Sequence, residues 1–557
     1  MPRAAEIIAK ALEREGVECV FTLPDGWMMP IYEELEKVDI RIVSMRTEQA
    51  AAAAADGWSR FTRRLGVVMV AVGPGTANVM PSLAQAYYAG SPVLALGGRA
   101  PIANVDRMAF EEVDTHRWVE KYTKHSRLVP SACRLLDYVQ DAIRQSMTGR
   151  LGPALLEIPK DVAGGECGEE LVYEAPERYR PQGRIHGDPS LVAKAAEIMT
   201  KSERPLIIAG SGAYWSDASE ELVRLAERIH APVATEGLAV GCIPSAHPLF
   251  ASHASAGLIS RAADLIIALG ARFDEFLGFG TDQSFYDKDV KVIHVDIDPT
   301  VIGKNRPADV GIWGDAKAVI GQMLQALPKE PSENGEAGWS TNVGAIIRAY
   351  YEEMETEAMS DEVPIRPQRL MRDLREFAGR DATFVLDGGD TTAWAYLYLR
   401  PSKPGQVIWS HGPFGMIGTG VPMGIAARLA RPREAVYVVT GDGSFLMDGV
   451  EIETASRHRV PIVVVVMDDS TWGDVYHNRI LASGSKESGR YALLQQRAYD
   501  KFAQSLGGYG EVVEEPGEIA NALRRAVDSG LPSVLDVRVS NEYVSPLSQV
   551  QGFLKKQ

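Results

Sequence analysis

The stretch Gly441-Asp442-Gly443-Ser444-Phe445, followed downstream by Asp468-Asp469-Ser470-Thr471-Trp472-Gly473, decides how this chain is read. Residues 434–440 (EAVYVVT) and 462–467 (IVVVVM), one ahead of each segment, are β-branched apolar runs of strand length. Residues 449–458 between them read as a helix. The unit is therefore strand, acidic turn, helix, strand, acidic turn. Both turns fall at the carboxyl ends of neighbouring parallel strands, where open α/β sheets take ligands. Asp442 and Asp469 are 27 residues apart, a separation that one βαβ unit folds back into contact. Glycine lets a backbone approach a phosphate closely, and two hard oxygen ligands suit a magnesium ion that also holds phosphates. The local reading is a metal–diphosphate site. The plain alternative is an Asp that only caps a helix.

The same alternation runs outward in both directions. Residues 7–14 read as a helix, 17–23 as a strand, 40–44 as a strand, 48–60 as an alanine-rich helix and 66–72 as a strand. The turn Gly73-Pro74-Gly75-Thr76, with Thr76 as the expected N-cap, then leads to a helix over 77–89 and a strand over 92–96. Strand-like runs recur at 205–209, 264–269 and 290–296, and again at 383–386, 407–410, 435–440, 462–467 and 533–537. The polar stretches 164–183 and 327–340 read as linkers. The expected fold is α/β, with three doubly wound parallel-sheet domains over 1–165, 188–328 and 360–557. The first and third units share size and alternation, which suggests two related halves around a middle domain.

Bulk properties narrow the function. With 45% hydrophobic and 24% charged residues and a net charge of −16, the chain is of soluble globular type. It has no basic block for nucleic acid, and its apolar runs are too short for a membrane helix. The chain opens on an acidic amphipathic segment rather than a signal peptide, so the expected location is cytoplasmic. Cys19, Cys133, Cys167 and Cys242 have no CxxC spacing and are expected to be buried thiols in a reducing compartment. The absence of a GxSxG elbow disfavours a serine hydrolase.

Three further segments carry residues suited to catalysis. Glu48, in Arg46-Thr47-Glu48-Gln49, opens the alanine-rich helix, where a carboxylate also simply complements the helix dipole. Asp387-Gly388-Gly389-Asp390-Thr391-Thr392 follows a strand and opens a helix, offering N–H and hydroxyl donors to a phosphate or a plain N-cap. His411 to Gly420 (HGPFGMIGTG) is glycine-rich before a helix, a spacing that close packing explains equally well.

Together these segments resemble the thiamine diphosphate enzymes of the acetolactate synthase type, a group that includes benzaldehyde lyase, oxalyl-CoA decarboxylase and 2-hydroxyacyl-CoA lyase. The resemblance extends from Phe21 to about Val537 and implies a pyrimidine-binding, a middle nucleotide-binding-like and a diphosphate-binding domain, in that order. The group's motif is GDG followed one βαβ unit later by Asn-Asn. This chain has Asp468-Asp469 there instead, which adds a negative charge beside the diphosphate. The resemblance implies that Asp442, Asp469 and the Thr471 carbonyl ligate Mg²⁺. Gly441, Gly443, Ser444, Trp472 and Gly473 would line the cofactor with Asp390, Thr391 and Thr392. Ile417 would sit beneath the cofactor, and the Gly415 carbonyl would hold its amino group. Glu48 would hydrogen-bond the aminopyrimidine from a second subunit, implying a homodimer or homotetramer. Glu111, in Phe110-Glu111-Glu112-Val113-Asp114, stands where Gln is frequent and would handle protons; solvated surface charge is its alternative. Lys124 belongs to the same family segment. Trp27 stands where benzaldehyde lyase has a catalytic His.

In the middle domain, Gly210-Ser211-Gly212, Thr235, His253, Gly270 to Asp274, Asp296 to Pro299 and Gly314-Asp315 match segments that hold FAD in acetolactate synthase and ADP in oxalyl-CoA decarboxylase. The function implied is cleavage or formation of a C–C bond beside a carbonyl, on a small-molecule 2-oxo acid, aldehyde or acyl-CoA, with acetolactate synthase-like decarboxylation and carboligation first. CoA-linked lyase or decarboxylase chemistry, favoured by Glu111, is the alternative. A non-catalytic regulatory subunit of the same fold, favoured by Asp468-Asp469, is the third.

Overall fold

The structure, a computed structural model, describes residues 1–252, 259–281, 286–329 and 338–545. It contains three six-stranded sheets in which every adjacent pair is parallel. The first comprises β1 (Cys19–Thr22), β2 (Arg41–Ser44), β3 (Gly66–Val70), β4 (Val93–Arg99), β5 (His125–Leu128) and β6 (Ala154–Pro159), in the order 2-1-3-4-6-5. The second comprises β7 (Pro205–Ala209), β8 (Val233–Thr235), β9 (Phe250–Ala251), β10 (Leu265–Leu269), β11 (Lys291–Asp296) and β12 (Val310–Trp313), in the order 12-11-10-7-8-9. The third comprises β13 (Thr383–Leu386), β14 (Val407–Trp409), β15 (Val436–Gly441), β16 (Val463–Asp468), β17 (Tyr509–Val513) and β18 (Ser533–Arg538), in the order 14-13-15-16-18-17.

The first and third sheets thus repeat one winding, and the second follows the dinucleotide-fold order. Strand order reverses between β1 and β3, between β7 and β10, and between β13 and β15. Those switch points are where such sheets open a crevice at the carboxyl ends. The central strands are buried on both faces, as their continuous β-branched runs require: all six residues of β16 are buried.

The alanine-rich helix Glu48–Thr62 is buried nearly all round. Its small side chains let it lie between the first sheet and the Gly420–Ala430 helix of the third unit. A Cβ on Gly57 would meet Met423 Cα at 3.1 Å. Arg60 and Asp56 on this helix are fully buried as an ion pair, 2.6 Å apart, and Arg60 Nη1 donates to the carbonyls of Trp409 and Ser410 at 2.8 Å each.

Several expectations need correction. Thr76 is no N-cap: it lies inside the Pro74–Asn78 helix, whose cap is Gly73, and its hydroxyl donates to the Ala71 carbonyl at 3.0 Å. The helix expected over 449–458 is preceded directly by another, Asp442–Asp448, so the GDG segment closes a strand and opens a helix without an intervening loop. The four cysteines are not all thiols. Cys133 and Cys167 are disulfide-bonded, while Cys19 and Cys242 are free and buried. The separation of 34 residues hid that pairing. Strands β5, β6, β8, β9, β12 and β17 were not anticipated. Edge strands β5 (HSRL) and β17 (YGEVV) carry polar residues that break the apolar run, and β6 (ALLEIP) contains a buried Glu157. His253 and residues 330–337 of the second linker lie outside the described residues. None of the described helices is long and apolar enough to cross a membrane.

Candidate active site

The residues from the two acidic turns meet at the switch point of the third sheet. Asp442 begins the helix that leaves β15 and is 2% exposed. Its Oδ1 accepts from the Gly443 N–H at 2.9 Å, whereas its Oδ2 is buried without a hydrogen-bond partner. Burial, followed by the nearby Asp469, pushes the Asp442 carboxyl up to about 8. Burial likewise pushes Asp469 up to about 6, against hydrogen bonds to its Oδ1 from the Thr471 hydroxyl (2.8 Å) and N–H (2.9 Å). Two mutually repelling buried acids with an orphaned oxygen are the donor set a hard divalent cation satisfies.

The departure from Asn-Asn divides into two roles. Asp468 is bound to Arg538 of β18 and accepts from the Ser470 N–H at 3.0 Å, so its charge is neutralised within the fold. Only Asp469 adds its charge to the corner.

The β13 turn closes the other side. Asp390 and Thr391 begin the Asp390–Tyr398 helix, and Thr392 Oγ1 is buried without a partner. A Cβ on Gly441 would lie 3.1 Å from Thr391 Oγ1, and one on Gly388 (φ +91°) would lie 3.1 Å from Ser444 Oγ. A Cβ on Gly473 would lie 3.3 Å from both Asp390 Cβ and Asp469 Oδ2, and one on Gly443 would strike the Trp472 ring at 2.7 Å. Asp390, Thr391, Ser444, Asp469, Trp472 and Gly473 therefore converge on one glycine-walled corner with Asp442.

Sequence reasoning missed what Asp387 and His477 do there. Asp387 is buried and accepts from the N–H groups of Gly388 (2.8 Å), Gly418 (3.0 Å) and Gly420 (3.0 Å). It folds the loop that carries Gly415 and Ile417 back over the switch point. Ile417 is half-buried, and Gly415 adopts φ +78°. His477 bonds Asp390. The Asp387-Gly388-Gly389 turn was a usable signal for the first; nothing in sequence spacing signals the second.

Glu48 stands elsewhere. It opens its helix behind the N-cap Thr47, is 8% exposed, and accepts from Asn78 Nδ2 at 3.2 Å. A Cβ on Gly75 would lie 3.0 Å from Glu48 Oε1, and one on Gly73 would lie 2.4 Å from the Glu111 carbonyl. Glu111 (φ +64°) has its side chain 3.9 Å from Lys160 Nζ. Trp27 packs over Gly98 of β4. Glu48, Glu111 and Trp27 thus gather at the carboxyl end of the first sheet. Among the described residues no hydrogen bond or ion pair joins Glu48 to the Asp442–Asp469 corner.

Glu112 braces its own loop, accepting from the N–H groups of Asp106 (2.6 Å) and Ala109 (2.9 Å). The Lys124 ammonium donates to the Thr148 carbonyl, and burial pulls it down to about 8. Asp114, His116 and Glu157 cluster closely enough to hold a metal ion. The Arg99 guanidinium already lies among them, 2.7 Å from Asp114 and 2.6 Å from Glu157.

At the switch point of the second sheet lies a cavity of about 560 Å³, lined among others by Gly212, Gly270, Arg272, Asp296, Arg150 and Trp409. The turns after β7 and β10 approach so closely that a Cβ on Gly212 would lie 2.7 Å from Gly270 Cα. Asp315 and Asp274 also line the cavity. Burial pushes the Asp296 carboxyl up to about 6.

Comparison with known proteins adds identity to this geometry. Residues 2–118 match the thiamine pyrophosphate enzyme N-terminal TPP-binding domain, 192–326 the central domain and 387–537 the C-terminal TPP-binding domain. A probable acetolactate synthase large subunit of Methanocaldococcus jannaschii is 35% identical, over 99% of this chain and 94% of its own length. One from Methanococcus aeolicus is 32% identical over 96% and 92%. The acetolactate synthase large subunit IlvG of Mycobacterium tuberculosis is 31% identical over 96% and 95%.

Proposed function

The chain belongs to the thiamine pyrophosphate enzyme family as an acetolactate synthase-like enzyme, and from that membership we propose that it decarboxylates a 2-oxo acid and joins the acyl unit to a second carbonyl compound. The observation that carries the reading is the pairing of Asp442, with its unpartnered Oδ2, and Asp469 at the third-sheet switch point. When bound there, thiamine diphosphate supplies an electron sink that lets a C–C bond beside a carbonyl break or form. The residues present fit that group: hard oxygens for Mg²⁺, orphaned Thr392 Oγ1 for a phosphate, and glycines where a side chain would block approach.

Asp442, Asp469 and the Thr471 carbonyl would hold the magnesium ion, with Thr391, Thr392 and Ser444 as phosphate donors. Ile417, half-buried, and Trp472, partly exposed, would wall the pocket side once the cofactor is bound, and the loop folded by Asp387 would present the Gly415 carbonyl. Glu48, held by Asn78 in a buried setting, offers its carboxyl oxygens as the hydrogen-bond partner of the cofactor's aminopyrimidine. Its placement at the first-sheet crevice is consistent with service to the corner of a second copy, so the active form is at least a homodimer. The middle cavity, with arginines for phosphates and the buried Asp296 for ribose hydroxyls, suits an adenine nucleotide such as ADP or FAD.

CoA-linked chemistry is the second reading, favoured by an acid at Glu111 beside the Gly73–Gly75 turn. Supplying the purified protein with Mg²⁺, thiamine diphosphate and either pyruvate or an oxalyl- or 2-hydroxyacyl-CoA separates the two. Acetolactate formation from pyruvate supports the first reading; turnover confined to the CoA substrates replaces it with the second. An absorbance spectrum of the pure protein reads the nucleotide, since only a flavin absorbs in the visible.

A further inference from the structure

The Asp390–His477 pair sits against the acidic corner. We propose that His477 is a positioning residue that carries a positive charge into this corner, offsets the acid that Asp469 adds, and thereby sets the affinity for the diphosphate. The inference rests on the corner being a metal–diphosphate site.

His477 Nδ1 lies 2.9 Å from Asp390 Oδ2, and Nε2 lies 2.9 Å from the Asn541 carbonyl. A carbonyl only accepts, so Nε2 donates to it, and Nδ1 faces a carboxyl group. Only the protonated ring donates to both at once. The two side chains are 2% and 3% exposed, so this charge is little screened by solvent. Burial alone would pull the imidazole down, yet the Asp390 hydrogen bond and charge outweigh it and the net direction is upward.

Two links connect the ring to Asp469. His477 favours the ionised form of Asp469 through space, against the opposing pull of Asp390. Asn541, whose carbonyl accepts the hydrogen bond from His477, also donates through Nδ2 to the Asp469 carbonyl at 3.3 Å. The other nearby cation, Arg538, is already bound to Asp468 and to Asp536 at 2.8 Å. Arg538 also acts on Asp442, but His477, paired with Asp390, is the cation that acts on Asp469, where an incoming diphosphate would meet it.

The test is calorimetric titration of the apo full-length chain with thiamine diphosphate and Mg²⁺, with thiamine monophosphate as the less charged probe. Wild type should take up thiamine diphosphate, His477→Gln should bind it about tenfold more weakly with a smaller loss for the monophosphate, and His477→Gln/Asp469→Asn should return to within about threefold of wild type. Removing the opposing acid repairs a charge defect but not a packing defect. Unchanged affinity in His477→Gln, or no recovery in the double variant, overturns the proposal. Where His477→Gln does not fold, Asp469→Asn alone decides: with His477 intact, uptake should tighten, and no tightening overturns the proposal. No uptake by wild type is a separate outcome, and it brings down the diphosphate reading itself.

Discussion

Single carboxyl groups carry the chemistry proposed for this chain, and burial shapes what each can do. Glu48 is 8% exposed and accepts from Asn78, so Glu48→Gln keeps the shape and the Asn78 contact while removing the carboxyl group. Turnover should fall by about a hundredfold or more with the melting temperature unchanged; a rate within a few-fold of wild type would strip Glu48 of its role. Asp448 shows the opposite use of burial. It is 3% exposed, its Oδ2 has no partner, and burial, then Glu451 and Asp387, push it up to about 7. An unfolded aspartate ionises near pH ~4, so between there and about pH 7 the folded chain holds a proton the unfolded chain has released. Stability is therefore lost as pH rises through that window. Asp448→Asn should raise the melting temperature of the apo protein, by an amount worth on the order of 1–3 kcal/mol at pH ~8 and less at pH ~5. A gain as large at the lower pH would contradict the assignment. At this scale the sequence was legible where a chemical type followed a buried strand, as at Asp442 and Asp469. It was opaque where function depends on a partner far along the chain: nothing in the spacing tells that His477 meets Asp390 or that Asp468 is taken by Arg538.

Among the elements, the alanine-rich helix does the most positioning. Its six consecutive alanines read as a good helix former, but their meaning is spatial: they admit the backbone of the Gly420–Ala430 helix on one side and β3 on the other. Gly57 marks the closest approach. Gly57→Val should destabilise the protein by about 2–3 kcal/mol, seen as a drop in thermal midpoint, because Met423 is fully buried and has little room to yield. A midpoint at or above wild type would show that the two helices are not pressed together as described. Most interior strands were legible because apolar β-branched runs have few other uses, while interior β6 and β8 were missed. Of the edge strands, β5, β9, β12 and β17 were missed whereas β2 and β14 were read, because one side of an edge strand tolerates polar residues, and the helix starting at Asp442 was hidden by the glycines around it.

For the whole molecule, the alternation along the chain was enough to expect three doubly wound sheets, and the repeated winding of the first and third gives the expected kinship of those units a concrete form. Chain order does not reveal which crevices face each other. The third-sheet corner holds the proposed metal and phosphate ligands, the first-sheet crevice holds Glu48, and the middle cavity lies at the switch point of the second sheet. Nor did it reveal that Cys133 and Cys167 are joined, since covalent partners follow from the fold rather than from spacing. Calorimetric titration of the apo protein with thiamine diphosphate, with and without Mg²⁺, tests the central claim most directly, with Asp442→Ala as the comparison. Uptake should require the metal, reach one cofactor per chain, and vanish in Asp442→Ala. Uptake that ignores Mg²⁺ or survives the loss of Asp442, or no uptake by the unaltered chain, would contradict it.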